Sequence, residues 1–203
     1  MYPTKIPKFV QRIFSKYMFS IPTRKKVLYL TFDDGPIPDV TPWVLEQLAA
    51  YSAKATFFMI GDNVQKHPTI YQQVIDEDHR IGNHTFNHFD GWKTANQTYF
   101  DNIEKCAEHI DSKLFRPPYG KLKPSQAKHL RKQYNIVLWD VLSGDFDKTI
   151  SSEKCLNNVL RQAKNGSIIV FHDSLKAEKH LRYVLPKVLD FYHKKGFVFR
   201  AIE

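Results

Sequence analysis

The chain has 203 residues, 42% hydrophobic and 14% aromatic, which suits one domain with a sizeable core and argues against a disordered or membrane-spanning chain. Its formal charge of +9 comes from scattered Lys and Arg, fitting attraction to anionic polymers or surfaces without naming one. No recognised nucleic-acid-binding motif accompanies that charge, so no nucleic-acid partner is expected.

In chain order, residues 1–26 come first as a basic segment, with Lys5, Lys8, Arg12, Lys16, Arg24, Lys25 and Lys26 and no acidic residue. Gln11, Arg12, Ser15 and Lys16 interrupt its apolar stretch, so no cleaved signal is expected, and the location is left between the cytoplasm and the periphery of the envelope. Phe9, Val10, Ile13, Phe14, Tyr17 and Met18 recur at roughly helical spacing. They predict an amphipathic helix packed on the domain, with weak contact to an anionic membrane as the alternative.

Residues 27–203 form the main unit. A buried strand is expected at Val27-Leu28-Tyr29-Leu30, running into Thr31-Phe32-Asp33-Asp34-Gly35-Pro36, where Gly-Pro forces a turn. A helix from Thr41 to about Ser52, a strand over Ala55–Ile60, a helix from Pro68 to Asp78 and a short strand at Arg80-Ile81-Gly82 follow. That strand leads into His84-Thr85-Phe86-Asn87-His88. Next come a helix over about Thr94–Ser112, a brief strand at Leu114-Phe115, the loop Arg116-Pro117-Pro118-Tyr119-Gly120 and a helix over Pro124–Tyr134. The fifth strand is Ile136–Val141, followed by Ser143-Gly144-Asp145-Phe146-Asp147 and a helix over Ser152–Lys164. The sixth, Ser167–Phe171, delivers His172-Asp173. A helix over Lys179–Lys194, kinked at Pro186, and a seventh strand at Phe197–Phe199 complete the chain.

Strands alternating with helices predict parallel pairing, as a barrel or as an open sheet with helices outside. In such folds functional loops leave the carboxyl ends of the strands, and every polar cluster above follows a strand. Cys106 and Cys155 lie in predicted helices without metal-type spacing and are expected to be free and buried. His67, His79, His109, His129, His180 and His193 fall on helices or their edges and are expected to be solvated.

Adjacent carboxylates at a strand end repel unless a cation or strong hydrogen bonds relieve them. His84 and His88, four apart, would point two imidazoles the same way on a helical turn. With Asp34 they make a two-imidazole, one-carboxylate set that suits zinc and serves non-haem iron equally. Asp33 is then placed to accept a proton from water, and His172 to protonate a departing nitrogen. Asp145 could hold that imidazole, Arg116 could orient Asp33, and a backbone N–H at Tyr119-Gly120 could stabilise an oxyanion.

The three stretches 31–36, 84–88 and 116–120, in that order, resemble the first three motifs of the polysaccharide deacetylase family, the NodB-homology or carbohydrate esterase family 4 domain. The likeness runs from about Val27 to the end. It implies a distorted (β/α) barrel and metal-dependent removal of N-acetyl groups from amino sugars in glycans such as peptidoglycan or chitin. Zinc is the usual metal, with cobalt, manganese or nickel as alternatives. The family pattern places the base on Asp33, the metal on Asp34, His84 and His88, and the oxyanion N–H on Tyr119, and it agrees about Arg116 and His172.

The last two motifs depart from the pattern. Where the family has Asp-x-x-Asp-Trp, this chain keeps Asp145 but has Leu142 and Phe146 in place of the first Asp and the Trp. Val170 stands where the family has Leu. In the family the Trp and Leu line the acetyl pocket, so Phe146 and Val170 bear on acyl preference. Rival readings are a different amide or ester hydrolase on the same scaffold, an iron oxygenase, and a glycan-binding protein without catalysis. A monomer is favoured.

Overall fold

The computed structural model describes residues 2–203, which form a curled parallel sheet with helices outside. The strands are β1 (Val27–Asp33), β2 (Thr56–Met59), β3 (Arg80–Asn83), β4 (Leu114–Phe115), β5 (Asn135–Ile136), β6 (Val141–Leu142), β7 (Ile168–His172) and β8 (Val198–Phe199). Seven follow the order β5-β4-β3-β2-β1-β7-β6, and β8 pairs with the first half of β1. All these pairings are parallel, as the alternating pattern requires.

β1 pairs with three strands, β2, β7 and β8, and the two-residue period of a strand sorts its side chains. Leu28, Leu30 and Phe32 face the helices, in one core with Phe57, Met59, Ile169 and Phe171 of the neighbouring strands. Phe32 sits in register with Phe57 and Phe171, its ring 5.0 and 5.8 Å from theirs, a three-strand aromatic ladder. The alternate residues Thr31 and Asp33 face inward. Phe58 does the same on β2, in a second core with Ile168. Gly82 makes room for it: a Cβ there would lie 2.5 Å from the Phe58 ring.

The outer layer comprises α1 (Lys8–Ile13), α2 (Val40–Ala49), α3 (Gly61–Lys66), α4 (Pro68–Asp76), α5 (Asn96–Ala107), α6 (Pro124–Leu130), α7 (Ser152–Leu160) and α8 (Glu178–Lys194). Pro124 and Pro68 occupy first helical turns, where a missing N–H costs nothing. Ser151 caps α7, its hydroxyl accepting the Lys154 N–H at 3.1 Å. α8 runs unbroken through Pro186 and packs Leu181, Val184, Leu185, Val188 and Leu189 into the main core. Cys106 and Cys155 are free and buried, as expected.

Among the core elements, the structure departs from expectation at three points. The fifth strand divides into β5 and β6, because the run 135–142 serves both sheet edges: Val137 donates its N–H to Phe115 on the β4 side, and Asp140 donates to Ile168 on the β7 side. One length of chain thus bridges the two ends of the sheet, and a change of partner breaks regular pairing between them. His79 and His180 are buried rather than solvated. His79 Nδ1 accepts the Ala55 N–H at 3.1 Å, and His180 Nδ1 lies 2.8 Å from Ser152 Oγ. The short helix α3, which follows β2 with little apolar periodicity, is an addition.

The segment before β1 is hydrogen-bonded along the bridging run. Lys5 pairs with Val141, Met18 with Val137, and Ser20 with Ser167. Buried Asp140 gathers the arm: it accepts from Lys5 Nζ at 2.6 Å, Gln11 Nε2 at 2.9 Å and Ser167 Oγ at 2.6 Å. The helix in this segment is shorter than its apolar spacing predicts, and Phe9, Ile13 and Phe14 point outward instead of packing.

Candidate active site

The carboxyl ends of β1, β3, β4 and β7 converge on a cavity of about 560 Å³. Asp33 is the last residue of β1, and its inward position follows from the strand period. Asp34 would ordinarily point to the opposite face. Its backbone turns left-handed, with φ of 83°, and both carboxylates then line the same cavity. Asp173 secures this turn: its Oδ1 accepts the Gly35 N–H at 3.1 Å and its Oδ2 accepts the Thr41 hydroxyl at 2.6 Å. Glycine is required at 35, since a Cβ would sit 2.1 Å from Asp173 Oδ2. Burial pushes the Asp173 carboxyl up to about 8.

Arg116, completely buried behind Asp33, donates from Nη1 to Asp33 Oδ1 at 2.6 Å and to Thr31 Oγ1 at 2.8 Å. Its Nε and Nη2 donate to the carbonyls of Val137 and Leu138, and its guanidinium lies 4.1 Å over the Phe58 ring. A buried charge with each nitrogen occupied is fixed in direction, so Asp33 is fixed with it.

His84 and His88 do not lie on a helical turn. Thr85 and His88 both have left-handed backbones, φ 64° and 56°, and the loop is tied down by Asn102, whose Oδ1 accepts the N–H groups of Phe86 and Asn87. The imidazoles still converge. His84 Nε2 is 3.7 Å and His88 Nε2 3.3 Å from Asp34 Oδ1, and one donor atom from each of the three residues lies within 4.8 Å of the others.

His84 Nδ1 sits 2.7 Å from the Arg116 carbonyl, to which it must donate, leaving Nε2 a bare lone pair directed at a carboxylate. Burial holds the His84 pKa down at about 4, so the ring is neutral at neutral pH. Asp34 Oδ1 is itself buried with no hydrogen-bond partner. Burial favours the neutral acid, but the imidazoles of His88, His172 and His84 outweigh it and hold Asp34 well below the usual carboxylate range. Facing acceptors with an orphaned carboxylate oxygen are the arrangement a divalent cation resolves.

Across the cavity His172 ends β7, in register with Asp33. Asp145 grips it twice, accepting the backbone N–H at one oxygen and lying 2.8 Å from Nδ1 at the other. Burial would depress this imidazole, yet the Asp145 carboxylate overrides that and raises it to about 9. Tyr119 holds a left-handed backbone, φ 61°, with its ring edge-on to His88 at 4.7 Å. Gly120 commits its N–H to the Pro117 carbonyl, which leaves Tyr119 as the candidate amide of that pair. Phe146 and Val170 line the cavity, the Phe146 ring 5.2 Å from His172.

Sequence reasoning missed Tyr2, Pro3, Ile6, Trp139, Leu142 and Lys176 as cavity wall. Tyr2 packs on Phe146 at 5.0 Å between ring centroids and donates its hydroxyl to Asp147 Oδ2 at 2.9 Å. Nothing local in the sequence marks this contact, which joins residues 145 apart. Lys176, four residues after His172, carried a weak signal through its position on the following loop.

This curled parallel sheet, with carboxylates and imidazoles at its strand ends, defines the class: the polysaccharide deacetylase description matches residues 20–138, and the chain belongs to that family. Over 192 residues it is 35% identical to a peptidoglycan-N-acetylglucosamine deacetylase of Bacillus cereus, covering 91% of this chain and 90% of that protein. It is 37% identical over 198 residues to a chitooligosaccharide deacetylase of Azorhizobium caulinodans, covering 86% and 92%. Among solved structures, a peptidoglycan N-acetylglucosamine deacetylase crystallised with 4-naphthalen-1-yl-N-oxidanyl-benzamide superposes with a TM-score of 0.88 at 34% identity, covering 97% of this chain and 95% of that one.

Proposed function

We propose that the protein is a divalent-metal-dependent hydrolase that removes N-acetyl groups from N-acetylglucosamine-type units of a glycan such as peptidoglycan or a chitin oligomer. The observation that carries this reading is the meeting, in one cavity, of the Asp33–Arg116 pair, the Asp34, His84 and His88 cluster, and the His172–Asp145 pair. The similarity to peptidoglycan and chitooligosaccharide deacetylases supports the substrate class.

Asp34, His84 and His88 would hold the ion, and two imidazoles with one carboxylate make zinc the first choice, ahead of cobalt, manganese or nickel. The chemistry such an ion supplies is Lewis acidity toward the acyl oxygen and a water. The chain's own groups do the rest. Asp33, aimed by Arg116, accepts the proton that the attacking water loses. The Tyr119 N–H donates to the oxygen that becomes negative as the acyl carbon turns tetrahedral. His172, cationic at neutral pH through Asp145, gives its proton to the departing nitrogen, so acetate and a free amino sugar leave.

Phe146 and Val170 form the apolar wall against which the acyl methyl would rest. Because they replace the family's Trp and Leu, a different acyl group is the second reading. The test is acetate release from N-acetylglucosamine oligomers and from peptidoglycan by metal-stripped protein, with zinc, cobalt, manganese or nickel restored. Acetate release that returns with metal is expected. Its absence on every substrate, with metal bound, would overturn deacetylation and turn attention to longer acyl groups.

A further inference from the structure

α1 and the turn after it present an inverted surface. Gln11 turns inward, its side-chain nitrogen donating to the Ile6 carbonyl and to Asp140. Phe9, Ile13 and Phe14 turn outward, with relative exposures of 64%, 70% and 49%. Leaving these apolar side chains in water while an amide is half-buried forgoes the usual gain of folding, which marks the face as a candidate contact surface.

The charges beside them narrow what that use is. Lys8, Arg12 and Lys16 are all exposed, and among the described residues none of the three joins an ion pair. The first acidic residue of the chain is Asp33. Next to the apolar trio lies a hollow of about 320 Å³ whose lining includes Lys8, Arg12, Ser15, Tyr17 and Ser20, which offers cationic and hydroxyl groups at the scale of a phosphate headgroup.

We propose that this face docks on an anionic phospholipid surface. Phe9, Ile13 and Phe14 enter the acyl boundary, and Lys8, Arg12 and Lys16 pair with headgroup phosphates. A soluble anionic glycan would satisfy the basic groups but leave the aliphatic Ile13 unexplained, whereas an interfacial helix needs both signals together. Tyr2, Pro3 and Ile6 of the same arm line the catalytic cavity, so docking through α1 sets the cavity mouth close to the lipid surface. The docking claim does not depend on the reaction assigned to that cavity.

The full chain, mixed with vesicles of equal phosphatidylglycerol and phosphatidylcholine and pelleted, tests this. Co-sedimentation is expected, weakened about tenfold with pure phosphatidylcholine, with the combined Phe9→Ser, Ile13→Ser, Phe14→Ser variant and with Lys8→Glu, Arg12→Glu. Acetate release from soluble N-acetylglucosamine oligomers should be the same for all four samples, which also shows that the variants fold. A chain that stays in solution, or a triple variant that pellets as well as the parent, overturns the proposal. So does a dimer that forms at high concentration and is abolished by the triple variant, since a second copy would then cover the face. Vesicle binding as expected without any acetate release leaves the docking in place and removes the deacetylase reading instead.

Discussion

At the scale of single residues, the two adjacent carboxylates have separate partners, and in the proposed reaction separate tasks. Asp33 is held by Arg116, and Asp34 faces two imidazole nitrogens. Asp33→Asn should lower turnover about a thousandfold, the range of a lost general base, while metal content is unchanged; His84→Ala should lose both. Elemental analysis beside acetate release distinguishes them, and equal metal loss in the two would contradict the division. In the proposed reaction His172 is the acid and Asp145 is what raises it, so Asp145→Asn should move the alkaline limb of the pH–rate profile to lower pH. All ten site residues identified in the sequence meet here: eight line the cavity, and Arg116 and Asp145 stand directly behind two of them. Asp33 and His172 were legible because the two-residue period fixes the inward face of their strands, whereas Phe146 and Val170 were legible only through the resemblance to the family's last two motifs. The left-handed Asp34 and the non-helical His84–His88 loop were not legible, since both depend on distant groups, Asp173 and Asn102.

At the scale of elements, most strands and helices declared themselves by apolar period, and the exception is informative. Ile136–Val141 reads as one strand because most of its residues are apolar or β-branched, yet it divides because β4 and β7 each claim one end of the run 135–142. Sequence period reports burial, not a change of pairing partner. The basic arm beside that run hid in the same way. Its apolar residues predict a packed helix, whereas Asp140, more than 120 residues away, draws in Lys5 and Gln11 and turns Phe9 and Ile13 outward. Asp140→Ala should therefore cost about 3 kcal/mol, because Lys5 loses the carboxylate that offsets its burial. Urea unfolding measures the loss, and limited proteolysis should find new cleavage between Thr4 and Lys16 before the barrel opens.

At the scale of the whole molecule, one buried histidine outside the site sets an acid limit on stability. His79 accepts a backbone N–H in its neutral form, and burial lowers it from 6.5 to about 4. The unfolded chain takes up this proton as pH falls through 6.5, and the folded chain does so only near 4. Within that window acid favours unfolding, so stability is kept above 6.5 and lost progressively below it. For a shift of that size the linkage is on the order of 3 kcal/mol. His79→Asn, whose Oδ1 can accept the same Ala55 N–H, should flatten the difference in melting temperature between pH 7 and pH 5 relative to the parent. An unchanged slope would place the acid sensitivity elsewhere, in the carboxylates held low by their partners. The sequence placed His79 at a helix edge and in water, because its acceptor role joins it to Ala55, the residue before β2 and 24 back in the chain.

Tyr2 and Ile202, near the two ends of the chain, lie at opposite ends of the barrel. Tyr2 stands in the cavity wall against Phe146, while Ile202 donates its N–H to Thr56 Oγ1 at the start of β2, the far side from the strand ends that meet at the cavity. In the proposed reaction this cavity is the doorway for the substrate, so a segment fused ahead of Tyr2 would begin beside it. A handle attached at Glu203 leaves that doorway clear, and immobilising the protein by its carboxyl terminus presents the cleft and the arm together to whatever flows past.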